Sequence, residues 1–198
     1  MLEQTLDDTP EACTTHLIIV DSFGNIACVT QSLGLHFGAG VVADGTGVLL
    51  NADVSNFGFT KSSPNAIAPG KWPRSTMTPT IFLKNNKPVL AIGSPAGQRI
   101  PTAVLQVSLD VLDFNRDLKE AIRAARFHVV RGGKNNHIDI EAASPAGLED
   151  ALGRLGWDVE RRQVKDYYFG SVNAVQFKAD GTLVGVADQR RTSDAAAE

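Results

Sequence analysis

The first concentrated apolar run, THLIIV at 15–20, is crowded with β-branched residues, and a second, IACVTQS at 26–32, follows the turn-forming residues DSFGN. Together they predict a β-hairpin whose first strand opens at Thr14. GVLLN at 47–51 is a third short apolar run. From Ala52 to Pro79 the chain is rich in Ser, Asn, Pro and Gly with little periodicity, and an unstructured stretch of that length inside a domain is usually functional. TIFLK at 80–84 and PVLAI at 88–92 predict another hairpin, with its tip at Asn85-Asn86, and GSPAG follows at once at 93–97.

Between Ile100 and Leu112 the apolar positions Val104, Leu105, Val107, Leu109, Val111 and Leu112 predict a largely buried helix that tolerates Pro101 only in its first turn. A second helix is expected from Leu118 to Ala125. A third, surface helix is expected within 144–156, capped by Ser144 and stopped by a glycine. DVERRQV, SVNAVQFK and TLVGVA read as closing strands, the last two joined at Asp180-Gly181, and the tail TSDAAAE as frayed. Strands, then helices, then strands predict an α+β or layered domain with an antiparallel sheet rather than a βαβ repeat. Residues 1–13 lack periodicity and carry Asp7, Asp8, Pro10 and Glu11, so they are expected to be an extended or mobile leader.

Composition narrows the function. At 198 residues the chain is the size of one domain and can bury a core without staples. Lys plus Arg number 19 against 22 for Asp plus Glu, without basic blocks, which argues against nucleic acid as a partner. No apolar run approaches membrane-spanning length, and the polar, acidic start is unlike an export signal; localisation stays open. Two cysteines, Cys13 and Cys28, make no disulfide framework, and His16, His36, His128 and His137 share no metal-ligand spacing, so neither a metal nor a cofactor is expected. Cys28 reads as a small core residue.

Candidate chemistry gathers at Thr14. A threonine hydroxyl needs an adjacent base. Cutting the bond between Cys13 and Thr14 would create an α-amine, with a reference pKa of about 7.7 to 8.0, beside that hydroxyl. By composition alone Thr14-Thr15 reads first as an ordinary β-forming pair. GSPAG, between a strand and a helix start, offers unpaired N–H groups suited to an oxyanion, or is simply a tight turn. Arg74 and Arg99 flank it and fit either a carboxylate or a structural role.

The blocks TTHLIIVDSFGNIACVTQSLGLHFGAGVV, GVLLNADVSNF, PNAIAPGKWPRSTMTPTI and GSPAGQRIPTAVLQV resemble, in order and spacing, the small subunit of γ-glutamyltranspeptidases over roughly residues 14–190. The resemblance implies the N-terminal nucleophile hydrolase fold, an αββα sandwich, matured by self-cleavage at Cys13-Thr14. It implies a leader or large-subunit end at 1–13 that is removed or released on cleavage, a catalytic domain at 14–190 and a flexible tail at 191–198. Thr14 would be both processing and catalytic nucleophile, assisted by Ser32, with the amides of Ala96 and Gly97 as the oxyanion hole. Ser75 and Thr76 would hold a substrate carboxylate, and Asp53 and Asn56 the substrate ammonium. The implied partner is the large subunit of the same precursor, in a heterodimer or a dimer of heterodimers, and the implied substrate is a small amide.

Three positions depart from the family pattern: Asn56 replaces an aspartate, Gly34 an asparagine, and Ala96 a glycine. The first two, with Asp53, suit an acylase acting on non-glutamyl amides; a chain that keeps its leader would instead be an uncut, inactive structural subunit.

Overall fold

Side chains alternate across a strand, and the alternation of the first hairpin decides which residues look inward. In the computed structural model, which describes residues 13–130, 136–162 and 167–197, β1 (Thr14–Val20) pairs antiparallel with β2 (Ile26–Ser32). Thr14, His16 and Ile18 lie opposite Ser32, Thr30 and Cys28 on the inner face; Leu17, Ile19 and Val29 lie on the outer one. Asp21 shapes the connection by accepting the amides of Phe23 and Asn25 at 2.9 and 2.8 Å.

The inner face rests on a second sheet with strand order β3-β4-β8-β9, made of β3 (Thr80–Lys84), β4 (Lys87–Gly93), β8 (Asn173–Phe177) and β9 (Leu183–Val186). Both Asn85 and Asn86 take positive φ, 52° and 59°, at the predicted tip, where a two-residue hairpin loop requires it. Against the far side of this sheet pack α1 (Ile100–Leu112) and α2 (Leu118–Arg123). Leu90, Ile92, Ile100, Val107, Leu118 and Ile122 form the heart of the core. Pro101 stands in the first turn of α1, as expected. The helix is buried on one face only: Leu105 is 57 % exposed, because the buried set Ile100, Ala103, Val104, Val107 and Val111 already follows the helical repeat.

A third sheet differs from expectation. β5 (Phe127–Val130) pairs antiparallel with β6 (His137–Glu141), and β6 pairs parallel with β7 (Asp158–Arg162) across α3 (Leu148–Arg154), a single βαβ unit. Ser144 does not cap α3; the cap position is Gly147, at φ 79°. GVLLN forms no strand, only an isolated bridge between Leu49 and Val42. The 52–79 stretch holds one short 3-10 turn, Asp53–Asn56, and a bridge between Gly58 and Ala66. The leader at 1–12 and the last two residues of DVERRQV lie outside the described residues. No helix among the described residues is long and apolar enough to cross a membrane.

Candidate active site

The register of the first hairpin places Thr14 opposite Ser32, and their hydroxyl oxygens are 3.0 Å apart. Thr14 is 8 % exposed. The ladder runs one residue past β1, so that the Cys13 carbonyl accepts the Leu33 amide at 3.0 Å and the Ser32 hydroxyl at 3.3 Å. Ser32 Oγ also accepts the Gly34 amide at 2.9 Å. A hydroxyl donates one hydrogen and accepts two. With its hydrogen on Cys13 O and one acceptance from Gly34, Ser32 has one acceptor position left, and the Thr14 hydroxyl donates into it.

Gly34 continues this chain of contacts. Its φ is +79°, and a Cβ there would stand 3.3 Å from Asp53 Oδ1, so glycine leaves the carboxylate room. The Asn56 amide donates to the same oxygen at 3.4 Å. Cys13, Thr14, Ser32, Gly34, Asp53 and Asn56 therefore form one contiguous group.

A second group lies at the turn between β4 and α1. Ala96 has φ 122° and ψ 38°, and Gly97 has φ 53°. The Thr76 hydroxyl donates to the Gly97 carbonyl at 2.8 Å, which docks the 52–79 stretch on the turn. Ser75 Oγ accepts the Met77 amide at 3.1 Å, within its own loop. Beneath the turn, Ser94 Oγ donates to Pro95 O at 2.7 Å and accepts the Ser171 amide at 3.1 Å. Arg99 faces away from the turn: Nε donates to Tyr168 O at 3.2 Å and its guanidinium lies 4.1 Å from the Tyr168 ring centre. Arg74 is exposed.

The two groups meet through His16, to which no sequence expectation assigned a role. Its Nδ1 is 2.7 Å from Thr30 Oγ1, its ring lies on Gly93, and burial pushes its pKa down to about 4. Arg191 Nη1 also reaches Thr14 O, at 3.4 Å, from the far end of the chain. The TTH triplet was a sequence signal for His16; Arg191 had none. Cys13 Sγ lies 3.1 Å from His36 Nδ1.

His137, Asp139 and Glu160 bring possible ligand atoms within 4.8 Å of one another, a proximity created by the parallel register of β6 and β7 and invisible as sequence spacing. These atoms are engaged in ion pairs: His137 Nδ1 contacts Asp158 at 2.7 Å, and Asp139 meets Arg162 Nε at 3.2 Å and the Tyr168 hydroxyl. The hydrogen bond to Asp158 raises the His137 pKa, opposed by burial and helped by Asp139.

Comparison with known proteins shows the family of the chain. Residues 2–198 match the family model described as Gamma-glutamyltranspeptidase. The chain belongs to that family. It is 42 % identical over 142 residues to a glutathione hydrolase proenzyme of Pseudomonas sp. strain A14, covering 67 % of this chain and 25 % of that protein. It is 35 % identical over 176 residues to the Acylase ACY 1 proenzyme of Pseudomonas sp. strain SE83, covering 89 % and 30 %. The chain thus spans about a third or less of the length of these relatives. A solved chain of a Helicobacter pylori γ-glutamyltranspeptidase mutant superposes with a TM-score of 0.77 at 36 % identity, covering 89 % of this chain and 100 % of that one. The α+β fold is that of the solved γ-glutamyltranspeptidase chains.

Proposed function

We propose that this chain is the catalytic part of an amide hydrolase and acyl transferase that cleaves γ-glutamyl compounds such as glutathione, after self-cleavage between Cys13 and Thr14. The observation that carries this reading is the Thr14–Ser32 hydroxyl pair, 3.0 Å apart at the opening of β1, with the carbonyl of the preceding peptide held by Leu33 and Ser32. In the uncut chain Thr14 Oγ attacks Cys13 C. The C–N bond then breaks, the amine leaves with a proton, and water hydrolyses the resulting ester to free Thr14. In turnover the freed amine takes the hydroxyl proton as Oγ attacks the substrate carbonyl, and the amides of Ala96 and Gly97 receive the developing oxyanion. Water or an acceptor amine then releases the acyl group.

In this reading residues 1–13 are a leader or the end of the large-subunit segment, parted from Thr14 by self-cleavage, 14–190 the catalytic domain and 191–198 a tail. Asp53 and Asn56 bind the substrate ammonium beside Gly34, and Ser75 and Thr76 its carboxylate. The partner is the large subunit of the same precursor, in a heterodimer that can pair again. Support comes from the outer face of the β1–β2 hairpin, where Leu17, Ile19 and Val29 are 40, 59 and 41 % exposed. A lone two-stranded ribbon with an apolar outer face needs a cover. Intact mass of the assembled protein tests the reading: wild type yields a fragment that begins at Thr14, whereas Thr14→Ala stays uncut and inactive. A wild-type chain whose bond between Cys13 and Thr14 stays whole would instead mark a structural subunit.

Asn56 favours one second reading, an acylase for non-glutamyl amides. It carries no charge to pair with an ammonium, and its own amide faces Asp53. Relative turnover of a γ-glutamyl anilide and a glutaryl amide decides: faster glutaryl cleavage selects the acylase.

A further inference from the structure

We infer that His16 is a positioning residue that fixes the separation between the nucleophile strand and the oxyanion turn by wedging its ring against Gly93. The inference rests on the roles proposed above for Thr14, Ala96 and Gly97. His16 stands two residues along β1 from Thr14, on the same inner face, and is 4 % exposed. A Cβ at Gly93 would lie 2.2 Å from its Cε1, 2.4 Å from Nδ1 and 2.5 Å from Nε2, so the ring occupies the place where any other residue would carry a side chain. Gly93 does not have a positive φ. Its requirement for glycine is therefore one of space, not of backbone conformation.

The contact is closed on every side. Across the hairpin, Thr30 holds Nδ1 at 2.7 Å. Cys28 Sγ lies 3.7 Å from Nε2, and 3.8 and 3.6 Å from the Thr80 and Ile92 carbonyls, which ties the wedge to β3 and β4. The His16 carbonyl accepts Asn173 Nδ2 at 3.0 Å, and Asn173 is the ladder partner of Gly93. Side chain and main chain of one residue thus grip both Gly93 and its neighbour in the sheet. From His16 the strand runs two residues back to Thr14; from Gly93 the chain runs directly into Ser94-Pro95-Ala96-Gly97. A shift at this contact changes how far the hydroxyl stands from the amides that receive the oxyanion. His16 itself touches neither reacting atom: two strand residues place it about 6.6 Å from Thr14.

The test uses the whole protein assembled with the rest of its precursor, and three variants: Gly93→Ala, His16→Ala and the two combined. Cleavage after Cys13 is followed by intact mass, active sites are counted by burst amplitude on a γ-glutamyl anilide, and kcat and KM are expressed per counted site. Oxyanion donors act in the transition state, so a misplaced turn lowers kcat while KM holds. Gly93→Ala and His16→Ala should each lower kcat per site about tenfold or more, the scale of a sub-ångström to ångström misplacement. The double variant should be faster than the product of the single effects predicts, because removing the ring makes room for the new methyl. Should His16→Ala fail to fold, His16→Gln, which can still bond Thr30, takes its place in the cycle. Unchanged kcat per site, or effects that multiply strictly, would overturn the positioning role alone. A wild type without acyl turnover would overturn the reading of Thr14 and this inference with it.

Discussion

Ala96 sits at φ 122° and ψ 38°, a region where a β-carbon is strained by roughly 1–3 kcal/mol. Nothing the turn does needs that methyl, since the proposed donors are backbone amides. Ala96→Gly should therefore stabilise the protein by about 1 kcal/mol, the strain relief exceeding the extra unfolded-state entropy of glycine. The shift of a urea midpoint measures this, with kcat retained. A second residue-scale expectation concerns pH. Burial holds His16 near pKa 4, against 6.5 for the free side chain. Between those values the unfolded chain binds the proton and the folded one does not. The folded state therefore loses stability as pH falls from about 6.5 to about 4, and loses no more from this ring below that. His16→Gln abolishes this component. Comparing the denaturation midpoints of the two proteins at about pH 7 and about pH 4.5 should show a larger acid loss for wild type; equal losses would contradict the assignment.

At the scale of elements, the hairpin of β1 and β2 was legible because β-branched residues and turn chemistry agreed, and α1 because its apolar repeat is long. β5 and β6 were not: FHVV and HIDIE are short, and Asp139 and Glu141 are polar residues whose burial depends on partners elsewhere in the fold. The start of α3 was misread for a related reason. Ser144 has the chemistry of a cap, but its amide bonds Glu141 O in a turn, and the helix begins after Gly147. α2 shows a cap that does function: Asp117 Oδ1 accepts the amides of Lys119 and Glu120 at 2.9 and 3.2 Å. Asp117→Ala should cost about 1 kcal/mol, read by chemical denaturation, with turnover unchanged because α2 lies beyond the sheet from Thr14.

Across the whole molecule, the residues proposed to act together come from β1, β2, the 52–79 stretch and the turn before α1, and sequence could group them only through the family resemblance. What local pattern could not reveal is the long-range joinery, of which the ion pairs at the chain's end are the clearest case. Arg126 and Asp188, each 2 % exposed, pair at 2.7 Å. Asp188 also meets Arg190 at 3.2 Å and accepts the Val172 amide at 3.0 Å, while Arg190 reaches Glu141 at 2.5 Å and the Ile122 and Ala124 carbonyls at 2.8 and 2.9 Å. Through Arg126 and Arg190 this carboxylate joins the end of α2, the end of β6 and the approach to β8, and Arg191, beside Arg190, reaches the Thr14 carbonyl. Asp188→Asn keeps the shape but strips the charge that compensates a fully buried guanidinium, and should cost about 3–5 kcal/mol in thermal or urea unfolding. Replacing both partners, Arg126→Met with Asp188→Leu, removes the stranded charge as well as the bond. The double variant should therefore lose less stability than Asp188→Asn alone. If it loses as much or more, the network acts through its hydrogen bonds to backbone carbonyls and amides rather than through charge compensation.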